Sequence, residues 1–354
     1  MTAPTDTKAG GPDESGAQTL GQPTLEQVAS IAGVSRATVS RVINDSPRVS
    51  DTALARVQKA IAELGYVPNR AARSLVTRRS DSIALIVSEQ DQRVFADPFF
   101  GGIIRAISAG LAETHLQLVL LMTQNGHDHE RLGRYAKAHV DGALVVSAHD
   151  SDPIPAILAE ARLPTVVMGR SFQTHVPSLP WVDADNFGGG RTAVEHLYSK
   201  GRRKIAHIAG ATDMHAASDR HRGYREGLEA HGLAYDPSLV VEGHFLEQGG
   251  YEAMNELLTR HPDLDGLFSA SDLMASGALH ALADSGRTVP ADVSVVGFDD
   301  TVVASHTRPR LTTVRQPIDV MGRMMIELLM QKMAGASPVE NVVLDTELIL
   351  RDST

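Results

Sequence analysis

Residues Thr24 to Val42, TLEQVASIAGVSRATVSRV, constrain the fold more than any other stretch, because they spell two short helices that meet at a glycine. The hydroxyl of Thr24 can cap the first helix while Gln27, three residues on, reaches back to the cap. Leu25, Val28 and Ile31 then give one apolar face, and Ala29 is small where two helices must approach. Gly33 stands where the chain turns with a predicted positive φ. Ser35 can cap a second helix that buries Val39 and Val42 and leaves Ser35, Arg36, Ala37, Ser40 and Arg41 outside. That outer side is polar and cationic and suits a DNA major groove. Arg36 can meet guanine O6 and N7 in a bidentate way, while Ser35, Ser40 and Arg41 reach bases or phosphates. A helical hairpin in an unrelated core is the competing reading. Caps, glycine, small residue and charge together favour a DNA-reading helix-turn-helix.

Ser50 can cap a third helix that turns Leu54, Val57, Ile61 and Leu64 toward the core and ends at Gly65. The formal charge of the whole chain is −10. Pro23 to Ser80 carry +5, and the chain after Ser80 carries −13. A basic module on an acidic body fits phosphate binding at one end. The absence of cysteine excludes disulfides, thiolate metal sites and cysteine nucleophiles. Residues 1–22, rich in Gly, Thr, Ala, Asp and Pro, show no periodicity and are expected to be disordered. No basic start followed by an apolar run marks a secretory signal, and no segment has the length of a membrane span. A cytoplasmic protein is expected, nucleoid-associated when on DNA.

From Ser82 onward, apolar β-rich runs alternate with helical patterns. Strands are predicted at 82–88, 116–123, 142–147 and 165–168, with helices near 99–113, 129–139 and 154–162. The pattern repeats with strands at 204–209, 266–270 and 292–298 and helices at 219–231, 249–260 and 271–285. Two doubly wound lobes follow, and such sheets bind ligands at the carboxyl ends of their strands. The expected fold is an all-α helix-turn-helix headpiece plus an α/β two-lobed core, like a periplasmic binding protein, with two doubly wound parallel sheets. The predicted domains are an extension (1–22), a headpiece (23–68), a hinge helix and linker (69–80) and a core (81–354). Within the core, one lobe takes about 81–180 plus 315–338 and the other about 181–312 plus 339–354.

The segment from Pro23 to Ser80, with Tyr66-Val67-Pro68-Asn69-Arg70-Ala71-Ala72-Arg73-Ser74-Leu75-Val76, resembles the headpiece and hinge of the lac/galactose repressor family. The resemblance extends to Arg351 through Asp97-Pro98-Phe99-Phe100, Asp219-Arg220 before Gly223-Tyr224, Ala270-Ser271-Asp272, Val295 to Asp300 and Leu311 to Gln316. Asn186 to Arg191, Met168-Gly169-Arg170 and Thr77-Arg78-Arg79 look most like its cellobiose-responsive members from high-GC bacteria. The resemblance implies a hinge helix over Asn69 to Val76 that folds on operator DNA, with Leu75 wedged into the minor groove. The expected DNA-binding set is Thr24, Ser35, Arg36, Ala37, Thr38, Ser40, Arg41, Asn44, Tyr66, Asn69, Arg70, Ala72, Arg73 and Leu75.

For an effector, the resemblance assigns Asp299, whose carboxylate can accept two hydroxyl protons, and Arg220, whose donor fork complements hydroxyl oxygens. A surface or interlobe salt bridge is the competing role for both. Phe99, Phe100 and Phe245 match aromatic positions of relatives, with core packing as the alternative. Ser271, Asp272 and Gln316 are expected polar lining. Several relatives have asparagine at Ser271 and aspartate at Gly169, so Arg170 is expected to compensate. Trp181, the only tryptophan, is a stacking platform or lobe packing. His127-Asp128-His129-Glu130 reads as a polar helix start rather than a metal site. Asp299-Asp300 lacks a companion nucleophile, and Gly188-Gly189-Gly190 lacks a dinucleotide fingerprint. No enzyme, cofactor or metal is expected. The function that the resemblance implies is a homodimeric repressor on an inverted-repeat operator, controlled by a saccharide, with cellobiose or a cello-oligosaccharide expected as the inducer. Three alternatives stand: another saccharide, a nucleobase or anionic effector for which Arg170 and Arg220 could serve, and a transport-type sugar-binding protein, which has no use for Pro23 to Ser80.

Overall fold

A computed structural model of the protein describes residues 23–43, 48–67, 79–122, 128–170 and 179–354. The chain divides into two compact units, Met1–Arg78 and Arg79–Thr354. In the first, α1 (Leu25–Ala32), α2 (Arg36–Ile43) and α3 (Asp51–Leu64) enclose a small core that includes Val28, Ala29, Val39, Val42 and Val57. Thr24 and Gln27 form the expected reciprocal cap. Thr24 Oγ1 accepts from Gln27 N at 3.3 Å, and Gln27 Oε1 accepts from Thr24 N at 2.8 Å. Ser35 accepts from Thr38 N at 3.2 Å. Gly33 ends α1 at φ +63°, a left-handed conformation that strains any side chain but glycine's. One expectation fails, because Ile31 is 52% exposed. The buried stripe of α1 runs through Leu25, Val28, Ala29 and Ala32, the i, i+3, i+4, i+7 rows, and position 31 falls off it.

The second unit has two lobes. The strands and helices of its first half are β1 (Ser82–Val87), α4 (Asp91–Ala96), α5 (Pro98–Leu111), β2 (Gln117–Met122), α6 (His129–His139), β3 (Gly142–Val146), α7 (Ile154–Glu160), β4 (Thr165–Met168) and β5 (Trp181–Ala184). There follow α8 (Asn186–Ser199), β6 (Ile205–Ala209), α9 (His215–Ala230), β7 (Val240–Glu242), α10 (Glu247–Arg260), β8 (Gly266–Ser269), α11 (Asp272–Asp284) and β9 (Ser294–Asp299). The last are α12 (Val302–His306), β10 (Thr312–Arg315), α13 (Ile318–Met333), β11 (Val342–Leu344) and β12 (Glu347–Ile349). Continuous apolar runs such as SIALIV, GALVV and SVVGF make strands buried on both faces, as a parallel sheet between helical layers demands.

The first lobe's sheet has the order β11-β5-β4-β3-β1-β2, parallel throughout. The second has β12-β10-β9-β8-β6-β7, parallel except for the β10–β12 pair. The lobe border differs from expectation. Trp181–Ala184 and Val342–Leu344 pair with each other and complete the first sheet. WVDA carries a buried aspartate in a short strand, which breaks the apolar run that sequence reading looks for. The chain therefore crosses between lobes three times, after Ala184, after Arg315 and after Leu344. Among the described residues, no helix is long and apolar enough to cross a membrane.

Candidate functional site

In each sheet the order reverses direction beside the first strand, between β1 and β3 and between β6 and β8. A crevice opens outside the carboxyl ends of the strands at such a point. The lobes face each other there across a cavity lined by residues of both. Ser147 follows β3, Gly169 follows β4 and Asp183 lies in β5. Across the cavity, Phe245 lies beyond β7, Asp299 ends β9 and Gln316 follows β10. Ser147, Phe245 and Asp299 have φ of +62°, +60° and +110°, left-handed conformations that cost non-glycine residues about 1–3 kcal/mol each and concentrate at functional sites.

Arg220 is the buried cation of this cleft, 4% exposed on α9. Its Nε donates to Asn186 Oδ1 at 2.8 Å and its Nη1 to the Ala270 carbonyl at 2.6 Å. The guanidinium lies 3.8 Å over the Phe298 ring, with Nη1 3.5 Å from Asp299 Oδ1. The same Asp299 oxygen accepts from Gln316 Nε2 at 2.7 Å. Burial pushes the Asp299 carboxyl up to about 7, although Arg220 pulls it down. Burial also raises Asp97 and Asp183. The triple glycine explains how Arg220 gets there. α8 and α9 touch so closely that a Cβ on Gly190 would lie 2.5 Å from the Arg220 carbonyl oxygen.

Two polar bridges join the lobes across the cleft. In the first, Glu89 accepts from Ser147 Oγ at 2.7 Å and from Arg93, and lies 3.1 Å from His149 Nε2. His149 Nδ1 in turn stands 2.9 Å from Asp213 Oδ2 in the other lobe. Its hydrogen bond to Glu89, and then Asp213, raise His149 to about 9, so it is a cation at neutral pH. In the second bridge, Arg170 spans from Asp183, at 3.2 Å, to Asp219 on α9. Against the burial that would raise it, His215, Arg170 and Arg222 hold Asp219 below the usual carboxylate range.

In the headpiece, Ser35, Arg36, Ala37 and Arg41 are exposed along α2, with Thr38 and Ser40 half-buried and Thr24 exposed. Arg36 Nε lies 3.1 Å from Glu26 Oε1. Tyr66, expected on DNA, is 8% exposed and part of the headpiece core. Its backbone N donates to the Ile61 carbonyl at 3.1 Å, in the turn that follows Gly65, and this folds the ring back over α3. Asn44, Asn69, Arg70, Ala72, Arg73 and Leu75 lie outside the described residues.

The HTH-type transcriptional regulator CelR of Thermobifida fusca is 51% identical over 335 residues, 94% of this chain and 98% of the relative. The chain belongs to the lacI family of bacterial regulatory proteins. That family's model matches residues 24–69, and a periplasmic binding protein-like domain matches 194–354. A solved transcriptional regulator CelR–cellobiose complex is 48% identical with a TM-score of 0.76, covering 94% of this chain and 100% of that one. A lac repressor dimer bound to operator and the anti-inducer ONPF is 30% identical with a TM-score of 0.83, covering 94% and 99%. As a member of the lacI family the protein is a DNA-binding transcriptional regulator and not an enzyme, as its sequence predicts.

Of the effector residues expected for such a regulator, Phe99, Arg220, Phe245, Asp299 and Gln316 line one cavity. Five others do not. Phe100 is fully buried in the first lobe's core. Ser271 caps α11, accepting from Met274 N at 3.2 Å, and Asp272 accepts from Thr301 N at 2.7 Å behind the cleft wall. Trp181 packs against the core beside β4, with Arg170 5.8 Å from its ring. Arg170 is committed to Asp183 and Asp219. Sequence reading assigned no role to Arg93, Asp183, Asn186 or Met214, which also line the cavity.

Proposed function

We propose that this lacI-family regulator is a homodimeric repressor whose hold on an inverted-repeat operator is released by a neutral saccharide, cellobiose or a short cello-oligosaccharide, bound in the cleft. One observation carries the choice of ligand. The cleft arginines already face carboxylates, Arg220 with Asp299, Arg170 with Asp183 and Asp219, and Arg93 with Glu89. No cation among them is left over for a phosphate or carboxylate, which disfavours an anionic effector. Hydroxyl groups, which donate and accept at once, suit an array of amides, carboxylates and guanidinium between apolar walls of Phe99, Met168, Phe245 and Met321. The similarity to CelR and to a solved CelR–cellobiose complex supports the same ligand.

Each subunit places one reading helix on a half-site, as the two-fold logic of helix-turn-helix proteins requires. Arg36 reads a guanine, Leu75 from each subunit enters the minor groove between the half-sites, and the protein sits on the nucleoid when bound. The sugar weakens DNA binding by favouring the low-affinity state. A tenfold preference corresponds to about 1.4 kcal/mol. A thermal-shift screen of cellobiose, longer cello-oligosaccharides, other disaccharides, cellobiose 6-phosphate and purines tests this reading. The neutral cello-oligosaccharides are expected to raise the melting temperature and to release operator in a gel shift. Stabilisation by the phosphate or a purine alone would overturn it.

A further inference from the structure

Arg93 lies on α4 and reaches the cavity that Arg220 and Asp299 also line. Its guanidinium is fixed on several sides. Nη1 is held by Glu89 and lies 3.8 Å from Met214 Sδ. The central carbon stands 4.5 Å from the centroid of the Phe245 ring and 5.7 Å from that of Phe100. Phe245 is itself seated tightly, because a Cβ on Gly210 would lie 2.0 Å from its ring. In this fixed fork one donor is unsatisfied: Arg93 Nε is buried and has no hydrogen-bond partner among the described residues. A buried N–H without an acceptor forfeits the hydrogen bonds that water gave it in the unfolded chain. In a ligand cavity, an acceptor on the ligand restores the loss.

We propose that Arg93 is a sugar-contacting residue, donating through Nε to one ring hydroxyl and so helping to set which saccharide the cleft accepts. The proposal rests on the reading of the cleft as a saccharide site. The hydroxyl oxygen accepts a hydrogen bond from Arg93 Nε, and the hydroxyl's own O–H is free to donate to a carboxylate, of which Asp97 and Asp299 line the same cavity. Because Glu89 and Phe245 fix the fork, its acceptor must occupy one place in space. A site built to bond a hydroxyl there rejects a sugar that lacks it or holds it on the other face of the ring.

The decisive variant is Arg93→Lys, which keeps a cation for Glu89 but has no donor at the Nε position. Calorimetry on the full chain, with cellobiose and its monodeoxy analogues, is expected to show one hydroxyl whose removal weakens wild-type binding at least tenfold. Arg93→Lys should bind cellobiose at least tenfold more weakly and no longer distinguish that analogue. Wild-type affinity in the variant, or weaker binding with the whole deoxy pattern intact, would overturn the contact. Asp299→Asn, measured alongside, separates the two levels. Sugar binding lost there but unchanged in Arg93→Lys removes the Arg93 contact alone. Binding unchanged in both, or no binding of any saccharide by the wild type, removes the reading of the cleft as well. Should Arg93→Lys fail to fold, the double variant Glu89→Gln/Arg93→Met, which removes both charges of the pair, yields the same two readings.

Discussion

Arg36 and Arg220 are the same side chain under opposite conditions. The Arg36 side chain is 73% exposed on α2 and its neighbour Glu26 is a loose surface partner, whereas the Arg220 side chain is 5% exposed and gripped by Asn186, Ala270, Phe298 and Asp299. The difference follows from what each partner brings. DNA arrives with its own charge and releases its counterions to a binding cation, so a reading arginine works from solvent and gains by being free to search. The neutral sugar proposed for the cleft brings only hydroxyl dipoles, so such a cleft must hold its charges preset in a dry place, where each is costly unless paired.

The largest effect should come from breaking the buried side of this comparison. Arg220→Met strands Asp299, Asn186 and the Ala270 carbonyl together, and the core is expected to lose about 3–5 kcal/mol in chemical denaturation. A loss under about 1 kcal/mol would mean that the cluster tolerates its charges without the guanidinium. On the exposed side, Arg36→Ala should leave stability unchanged, cost about 1–3 kcal/mol of operator affinity per half-site and relax one base position. Equal loss on every sequence in a gel-shift panel would contradict base reading.

A smaller effect is set by Asp299, whose carboxyl titrates at about 7 instead of 3.8. Lowering the pH from about 8 to about 6 protonates it, removes an acceptor and should weaken cellobiose binding up to about tenfold, a trend that Asp299→Asn flattens. Folding runs the other way. The native carboxyl keeps to about 7 a proton that the unfolded chain releases near 3.8, so this group lowers stability as pH rises through that window. The smallest effect belongs to Glu26→Gln, which frees Arg36 from a pair exposed on both sides. Operator affinity should rise by less than about 1 kcal/mol, and the gain should fade with salt.

The headpiece was legible because its signals are local. A capping box, a left-handed glycine and an apolar stripe all fall within a few residues of what they organise. Ile31 was misread through a stripe drawn one row off. In the cleft, Arg220 and Asp299 were found by family resemblance, and residues at strand ends were harder. Ser271 and Asp272 sit beside the site in sequence, yet turn their oxygens to α11 and Thr301, because a strand-to-helix junction needs a cap as much as a ligand does. The Glu89–His149–Asp213 bridge left no trace, since its members are some 60 residues apart, and α4, which carries Arg93 beside it, is too short to show a period. Arg93 escaped notice for the same reason.

The three crossings between the lobes also set an order of birth. Synthesis from the amino end completes the three-helix head by Tyr66, whereas the first lobe waits for its last strand, Val342–Leu344, which follows every strand of the second lobe except β12. Domains fold as units when their parts are present, so the DNA-reading head matures early, while the cleft-bearing body closes only after Val342–Leu344 have been made.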